Sequence, residues 1–330
     1  MGSKRINFRQ RCMAKDKSKS CVRENGETIA MTAKKFILTG ATGMIGSAIA
    51  REAIGQNHDV TCLVRKDSPR VKNIPRGERV RIVDCDIDGY GALNLDGNYD
   101  AFIHLAWEKT GVGGRDDVDS QLRNVQHMLE AAHLAKKCGC SVFIGAGSQA
   151  EWGVQSVPLA SSLPVNPESG YGIAKYTAGK LAAILCAQLG MRFNWLRILS
   201  VYGKNDGENT LISYVVRELK AGRSPALTKC EQTWDYLHCD DAARAFLAVA
   251  ERGTDGKTYP LGSGYGRPLA EYVKDIRNAI NPEIKLEFGK KPYYPHQPMF
   301  MVADISELTA DTGWKPEITF IEGIKIILEA

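Results

Sequence analysis

The amino-acid sequence predicts an α/β fold in which helices cover a doubly wound parallel sheet, with a smaller lobe at the C-terminal end. Two observations carry this prediction. Short apolar runs alternate with helical segments from residue 35 to about residue 203, and such alternation is typical of parallel sheets. A glycine-rich loop also separates the first apolar run from the first helical segment, at residues 40–46, which is where doubly wound folds bind a dinucleotide's pyrophosphate.

The strands and helices follow in order from these patterns. Runs rich in Val, Ile, Leu and Phe predict strands near residues 35–39, 59–64, 80–84, 101–105, 141–145 and 193–199. Between them, apolar residues at helical spacing predict helices near residues 44–55, 117–137 and 170–189. Beyond residue 203 the alternation becomes irregular, with helices near residues 209–221, 240–251 and 267–280. We therefore predict a dinucleotide-binding domain over residues 31–203 and a substrate-binding lobe over residues 204–330, from which strands can return to the sheet.

Residues 1–30 have the composition of a disordered basic tail. They contain eight Lys or Arg and three acidic residues, whereas the rest of the chain contains 35 of each sign. The formal net charge of +5 therefore belongs to this segment, and the balanced remainder indicates no nucleic-acid partner. The segment lacks the apolar core of a secretory signal, and Met31 lies where such a domain normally begins.

The composition indicates neither a membrane protein nor a metal protein. No run of about eighteen uncharged apolar residues is present. The nine cysteines include no CxxC pair, and Cys138 and Cys140 are too close for a typical metal pair. His104, His238 and Cys239 also lack metal-ligand spacing. We expect a cytoplasmic protein with reduced thiols and no metal site.

The glycine-rich loop has the spacing GxxGxxG and lies between a predicted strand and a predicted helix. Without side chains, its backbone can approach a pyrophosphate, and the following helix N-terminus offers N–H groups to it. The residues that we expect to contact the cofactor in this loop are Gly40, Thr42, Gly43, Met44, Ile45 and Gly46.

A second motif, Tyr171 and Lys175, has the spacing YxxxK, which puts both side chains on one face of a helix. Lowering a phenol pKa from about 10 to about 7 needs roughly 4 kcal/mol of stabilisation, and we expect the ammonium of Lys175 to supply it. Such a tyrosine is the acid when a ketone is reduced and the base when an alcohol is oxidised. One motif can hold a dinucleotide and the other can move a proton, so together they predict redox chemistry.

With both motifs, the chain resembles the extended short-chain dehydrogenase/reductase family of nucleotide-sugar epimerases, dehydratases and reductases. The resemblance runs from about Met31 to the C-terminus. Its further landmarks follow the family's order: Asp86-Ile87, His104-Leu105-Ala106, Ser148, residues 197–203, Trp234-Asp235-Tyr236 and Gly313-Trp314-Lys315-Pro316.

The resemblance implies a Rossmann-type fold and roles for single residues. Ser148 would hydrogen-bond the reacting oxygen and complete a catalytic group with Tyr171 and Lys175, which also contact the cofactor. In the same way, the resemblance implies adenine contacts from Asp86 and Ile87, and a nicotinamide side lined by Leu105 and Ala106.

The residues after the second predicted strand decide between the two nicotinamide cofactors, because they meet the adenosine ribose. Arg65 and Lys66 stand there, and an acid, Asp67, follows only two residues later. A cation accommodates the 2′-phosphate of NADP, so NADP(H) is favoured over NAD(H). The alternatives are that Asp67 reaches the ribose or that Arg65 and Lys66 are solvated loop charges.

The segment after Ser148 narrows the reaction. Sugar dehydratases of this family carry an Asp-Glu pair there, whereas this chain has Gln149 and Ala150, which cannot exchange protons. Dehydration is therefore disfavoured, and reduction and epimerisation remain as candidate reactions. A cation at the ribose suits a reductase that exchanges NADPH at each turnover, while epimerases retain their cofactor and commonly use NAD.

The substrate positions depart from the family pattern. Trp234 replaces an arginine that holds the sugar nucleotide's pyrophosphate, and Ser200 replaces a frequent asparagine, which leaves the nucleotide open. Lys109 and Asn124 keep the spacing seen in sugar epimerases. We take Lys109, Asn124, Gln149, Ser200 and Trp234 as substrate-binding candidates.

We therefore expect an NADPH-dependent ketoreductase acting at C4 of a nucleotide-linked deoxysugar. An NAD-dependent 4-epimerase is the alternative. A non-catalytic dinucleotide-binding scaffold is an alternative of another class, and the intact Ser148, Tyr171 and Lys175 weigh against it. The resemblance also implies a homodimer, because family members commonly dimerise through the helices at residues 116–136 and 170–189, although burial against the sheet explains their apolar faces equally well.

Overall fold

A computed structural model describes the chain over residues 21–22, 28–29, 32–111, 113–294 and 297–329. The contacts divide it into two units, Met1–Ala33 and Lys34–Ala330. In the first unit, strands β1 (Cys21–Val22) and β2 (Thr28–Ile29) pair antiparallel. Most of the segment predicted to be a disordered tail lies outside the described residues.

The second unit alternates strands and helices, and the prediction of their positions is close. Its strands are β3 (Lys35–Thr39), β4 (Asp59–Val64), β5 (Val80–Asp84), β6 (Ala101–His104), β7 (Val142–Ser148), β8 (Arg192–Ile198), β9 (Ser200–Tyr202), β10 (Thr233–Trp234), β11 (Tyr236–His238), β12 (Thr258–Leu261), β13 (Arg267–Pro268) and β14 (Phe300–Met301). Its helices are α1 (Met44–Gly55), α2 (Val118–Lys137), α3 (Gly170–Gln188), α4 (Leu211–Lys220), α5 (Cys239–Arg252), α6 (Leu269–Ile280), α7 (Ser306–Thr312) and α8 (Phe320–Glu329).

The main sheet has seven strands in the order β12-β8-β7-β6-β3-β4-β5, and every neighbouring pair is parallel. The strand order reverses between β3 and β6, and ligands of such sheets bind outside the carboxyl ends of the strands at this switch point. The prediction of a Rossmann-type, doubly wound sheet is confirmed. β12 joins the sheet from beyond residue 203, and the division into two domains at that residue remains a prediction.

Apolar clusters cover both faces of the sheet. One cluster contains the buried residues of α1 and α5, and the other contains those of α2 and α3. In the second cluster, the rings of Phe102, Phe143, Phe193 and Trp195 stack in a row across β6, β7 and β8, with centroids 5.5 to 6.3 Å apart. Each fully buried ring of this kind contributes about 1.5–3 kcal/mol of transfer free energy, so the row fixes the strands from which the site residues emerge.

Seven cysteine side chains are described, and all seven are free thiols. Over the same residues, none of the helices combines the length and the apolarity that crossing a bilayer requires.

Candidate active site

The glycine-rich loop connects β3 to α1 and has no room for a side chain at two of its glycines. Gly40 has a φ of 69°, which strains other residues, and a Cβ there would lie 2.9 Å from the Ala106 nitrogen. A Cβ at Gly46 would overlap the carbonyl oxygen of Gly40. Gly43 precedes α1 without a capping side chain, so the first N–H groups of α1 suit an anion such as a pyrophosphate.

A buried hydroxyl ties the ends of β3 and β6 together. The Thr39 hydroxyl accepts the backbone N–H groups of Leu105 and Ala106 at 3.1 and 3.2 Å, and lies 2.9 Å from His104 Nδ1. Burial lowers the pKa of His104 to about 3, so this imidazole is neutral. Leu105 and Ala106 are thereby held against Gly40, next to the glycine-rich loop.

The predicted adenosine residues follow the next two strands of the sheet. Arg65 and Lys66 directly follow β4 and are exposed, and among the described residues neither forms an ion pair with an acidic side chain. The Asn73 amide donates to the carbonyl of Thr42 at 3.0 Å, which joins this region to the glycine-rich loop. Asp86 and Ile87 follow β5, Asp86 being exposed and Ile87 half-buried at the start of a short 3₁₀ helix.

Ser148, Tyr171 and Lys175 lie together at the carboxyl end of the sheet. Ser148 is the last residue of β7, Tyr171 is in the first turn of α3, and both residues line the same cleft. The buried Lys175 ammonium donates to the Ala146 carbonyl at 2.7 Å and lies 5.8 Å from the Tyr171 ring centroid. The YxxxK spacing therefore brings both groups to the strand that carries Ser148.

The electrostatics of this group differ from the sequence-based expectation. Burial raises the pKa of Tyr171, while the hydrogen bond with Ser148 and the charge of Arg115 oppose that rise. Burial also lowers the pKa of Lys175 to about 7, opposed by the charge of Glu151. Lys175 is therefore not the main source of phenolate stabilisation, because it donates to a backbone carbonyl and is itself costly to keep charged.

One open cleft of about 420 Å³ contains both sequence motifs. Its lining includes Gly40, Gly43, Ile45 and Gly46 from the loop region, Leu105, and Ser148, Gln149, Tyr171, Lys175 and Ser200. A larger cavity of about 530 Å³ lies beside α4, but it contains none of the predicted site residues. Cavity volume alone would select the cavity beside α4, whereas the side chains suited to catalysis and cofactor binding line the smaller cleft.

Among the cleft residues that sequence reasoning missed, Trp107 and Arg115 lie against the catalytic group. The Trp107 ring lies 3.8 Å from Lys175 Nζ and meets the Tyr171 ring edge-on at 6.2 Å. The Arg115 guanidinium lies 5.3 Å from the centre of the Tyr171 ring. Trp107 directly follows the predicted cofactor residues Leu105 and Ala106, so its position in the sequence could have indicated it. No motif spacing indicates Arg115.

The structure separates the five substrate-binding candidates. Gln149 and Ser200 line the cleft, and the Trp234 indole donates to the Ser200 hydroxyl at 2.7 Å. Asn124 is buried, and its amide exchanges hydrogen bonds of 2.9 and 3.1 Å with the Glu108 backbone. Lys109 is exposed. Trp234, Lys109 and Asn124 are not among the residues that line the cleft; Trp234 contacts it through Ser200, and Asn124 holds the backbone at Glu108 instead.

Among the described residues, one group of potential metal ligands is formed by three consecutive residues. Ligand atoms of His238, Cys239 and Asp240 lie within 4.8 Å of one another. Burial raises the pKa of Cys239 to about 12, His238 Nδ1 accepts the Asp240 N–H at 3.3 Å, and Asp240 pairs with Arg51 at 3.0 Å. His238 Nε2 has no hydrogen-bond partner among the described residues, but Asp240 is paired with Arg51 and the Cys239 thiol keeps its proton, so we assign no metal to them.

Known proteins with this fold and sequence pattern include several nucleotide-sugar enzymes. UDP-glucose 4-epimerase of Corynebacterium glutamicum is 24% identical over 311 residues, covering 88% of this chain and 93% of the relative. CDP-abequose synthase of Salmonella typhimurium is 25% identical over 308 residues, covering 89% and 97%. The structure of UDP-glucuronic acid 4-epimerase from Bacillus cereus, in complex with UDP-glucuronic acid and NAD, superposes with a TM-score of 0.76 at 19% identity, covering 89% and 98%.

The family model of the NAD dependent epimerase/dehydratase family matches residues 36–262. This match spans the main sheet, the glycine-rich loop and the Ser148, Tyr171 and Lys175 group, and it covers well over half of the chain. The chain therefore belongs to the NAD-dependent epimerase/dehydratase family, within the extended short-chain dehydrogenases/reductases.

Proposed function

We propose that the protein is an NADPH-dependent reductase of a nucleotide-linked 4-keto-6-deoxysugar. The observation that carries this proposal is the single cleft in which the glycine-rich loop meets Ser148, Tyr171 and Lys175. Gln149 and Ala150, which follow Ser148, provide no acid and base for elimination of water. Hydride transfer coupled to proton transfer is the chemistry that these residues support.

Several residues fit a dinucleotide. The close backbone approach at Gly40 and Gly46 and the uncapped start of α1 suit a pyrophosphate, and the exposed Arg65 and Lys66 suit a 2′-phosphate. When bound, NADPH supplies the hydride.

The protonation state of Tyr171 favours the reductive direction. Because burial raises its pKa, the phenol keeps its proton at neutral pH and can donate it to a carbonyl oxygen that accepts the hydride. Ser148 donates a second hydrogen bond to the same oxygen as negative charge develops. Oxidation of an alcohol would first require the phenolate, which this environment disfavours.

An NAD-dependent 4-epimerase is the second candidate, because the similar proteins described above include 4-epimerases. The two reactions differ in how the cofactor is used. Mass spectrometry of small molecules released from native protein separates them: retained NAD supports the epimerase, and protein without nicotinamide that binds NADPH supports the reductase. Protein without affinity for either cofactor would support the scaffold alternative and contradict both enzymes.

The direct test of the reductase is turnover. Purified protein is mixed with NADPH and a panel of 4-keto-6-deoxy sugar nucleotides, and the loss of NADPH absorbance is followed. We expect oxidation of NADPH with formation of the 4-hydroxy sugar. Interconversion of 4-epimers without added cofactor would instead establish the epimerase.

We also propose a homodimer formed through α2 and α3. Both helices carry large apolar side chains that this single chain leaves exposed: Val118, Leu122, Ile173, Leu181 and Ile184, between 41% and 69% accessible. Exposed apolar surface on two adjacent helices is typical of a protein interface, and the family resemblance implied a dimer through the same two helices.

A further inference from the structure

Glu151 is the most deeply buried charged group next to the catalytic residues. It ends the short 3₁₀ helix Gln149–Glu151 and is fully buried. Its carboxylate accepts the Ser148 backbone N–H at 2.8 Å, the Trp195 indole N–H at 3.0 Å and the Arg197 Nε–H at 2.7 Å. A buried carboxylate is strongly unfavourable without such partners, and here the partners come from the last residue of β7 and from the second half of β8.

We propose that Glu151 is a positioning residue for the reaction, which fixes Ser148 against β8 and places a negative charge near the Lys175 ammonium. The effect that the proposal predicts on turnover rests on the proposed function. The hydrogen bonds of Glu151 are a property of the buried side chains and do not depend on that function.

The surroundings of Ser148 support the positioning role. Its backbone N–H is bound by Glu151, and its hydroxyl accepts the Ala150 N–H at 3.2 Å, so the N–H and the hydroxyl of Ser148 are both oriented by this short helix. A Cβ at Gly147 would overlap the Trp195 indole and lie 2.6 Å from Glu151 Oε1. Glycine at that position is what lets the carboxylate approach the end of β7.

Lys175 is linked to the same strand end. Its ammonium donates to the Ala146 carbonyl at 2.7 Å and lies 6.0 Å from the Trp195 ring, whose N–H is bound by Glu151. The other titratable groups around Lys175 are Tyr171 on its own helix, His104 on β6 and, beyond His104, His127 on α2.

Glu151 is the acidic group that acts on Lys175 in this environment. Its charge raises the pKa of Lys175 against the effect of burial, and it also raises the pKa of Tyr171. Removing this charge should lower both pKa values. The ammonium and the phenolic proton would then be lost at lower pH, so the alkaline limb of the reductase pH profile should move to lower pH.

The test compares two variants with a matched control. Glu151→Gln removes the charge but leaves Arg197 buried without a counter-ion, which is strongly destabilising. Arg197→Met combined with Glu151→Gln removes both charges and relieves that cost. Asp241→Asn is the control, because Asp241 is equally buried, pairs with Arg244 and binds the Glu317 and Ile318 N–H groups away from the cleft.

The measurements are the melting temperature, the pH profile of kcat with NADPH, and NMR titration of ¹³Cε-labelled lysine, with the Lys175 signal assigned from Lys175→Met. For the double variant we expect a recovered melting temperature, a kcat that remains about tenfold or more below wild type, an alkaline limb at lower pH and a Lys175 pKa below the wild-type value of about 7. Asp241→Asn should lower the melting temperature without moving the pH profile or the Lys175 titration.

If the ion pair of Glu151 and Arg197 were purely structural, the double variant would regain its activity together with its stability. Recovery of kcat, pH profile and Lys175 titration together with stability would overturn the proposal. If the wild type lacked NADPH-dependent turnover, the proposed function would fail, whereas the NMR titration would still decide whether Glu151 controls Lys175.

Discussion

Tyr171 is the residue on which the proposed chemistry depends most directly. It is the proton donor that the cleft offers to a reacting oxygen, and Tyr171→Phe removes only that hydroxyl. We expect kcat to fall by roughly 10²–10⁴ with NADPH affinity little changed, measured by steady-state kinetics and cofactor fluorescence. Tyr176→Phe on the same helix is the control, and its kcat should stay normal. Near-normal turnover of the Tyr171 variant would reject the assigned role.

Arg65 tests the choice of cofactor at the same scale. A charge-assisted contact with a 2′-phosphate is worth about 1.5–3 kcal/mol, so the wild type should bind NADPH about tenfold or more tightly than NADH. Arg65→Asp should reverse that preference, because it replaces attraction by repulsion, and fluorescence titration of both cofactors measures it. Lys72→Asp is the matched control, because it makes the same change of side-chain charge at another exposed position. Equal affinities in the wild type would mean that Arg65 is a solvated loop charge.

The sequence identified site residues through local spacing and through the family resemblance, and it missed residues that neither signal marks. Tyr171 and Lys175 were found because a helix brings residues four apart together. Glu151 was not, because its partners Trp195 and Arg197 lie 44 and 46 residues away. The balance of charges around Tyr171 was also misjudged, because burial of a side chain depends on the packed fold and is not visible in motif spacing.

At the scale of elements, the close packing of the glycine-rich loop between β3 and α1 can be tested at Gly46. Gly46→Ala places a Cβ against the Gly40 carbonyl, so the loop must shift. We expect a loss of stability of about 1–3 kcal/mol and weaker NADPH binding, measured by denaturant unfolding and titration.

The control for this substitution lies on the same helix. A Cβ at Gly55, the last residue of α1, meets no atom within 4 Å, so Gly55→Ala should be neutral or stabilising by up to about 1 kcal/mol. Equal effects of the two substitutions would show that the close approach at Gly46 does not constrain the loop.

Most elements could be predicted because their apolar periodicity is strong, and the main exceptions have physical causes. β7 was predicted to end at residue 145 but continues to Ser148. Gly145, Ala146 and Gly147 have little intrinsic preference for a strand; here they pair in register with β8. β12 is only four residues long and contains a proline, so its place at the sheet edge required the fold.

At the scale of the whole molecule, the proposed dimer is testable by charge. Ile184 is 57% exposed on α3, and Ile184→Glu should convert a dimer into a monomer, because a charge would be buried in the interface. Sedimentation velocity measures the change. Ile321→Glu on α8, at a residue 49% exposed, is the control and should leave the mass unchanged. A monomeric wild type, or a dimeric Ile184 variant, would contradict the proposed interface.

The position of β12 at the end of the main sheet has a consequence for how the chain folds during synthesis. Residues 258–261 pair with residues 195–198 of β8, so β8 remains an open edge until these residues have left the ribosome. An unpaired strand edge is a template for association with other chains. A fragment that ends at residue 203 would carry that open edge permanently, and its aggregation would be expected even though it contains every residue of the catalytic group.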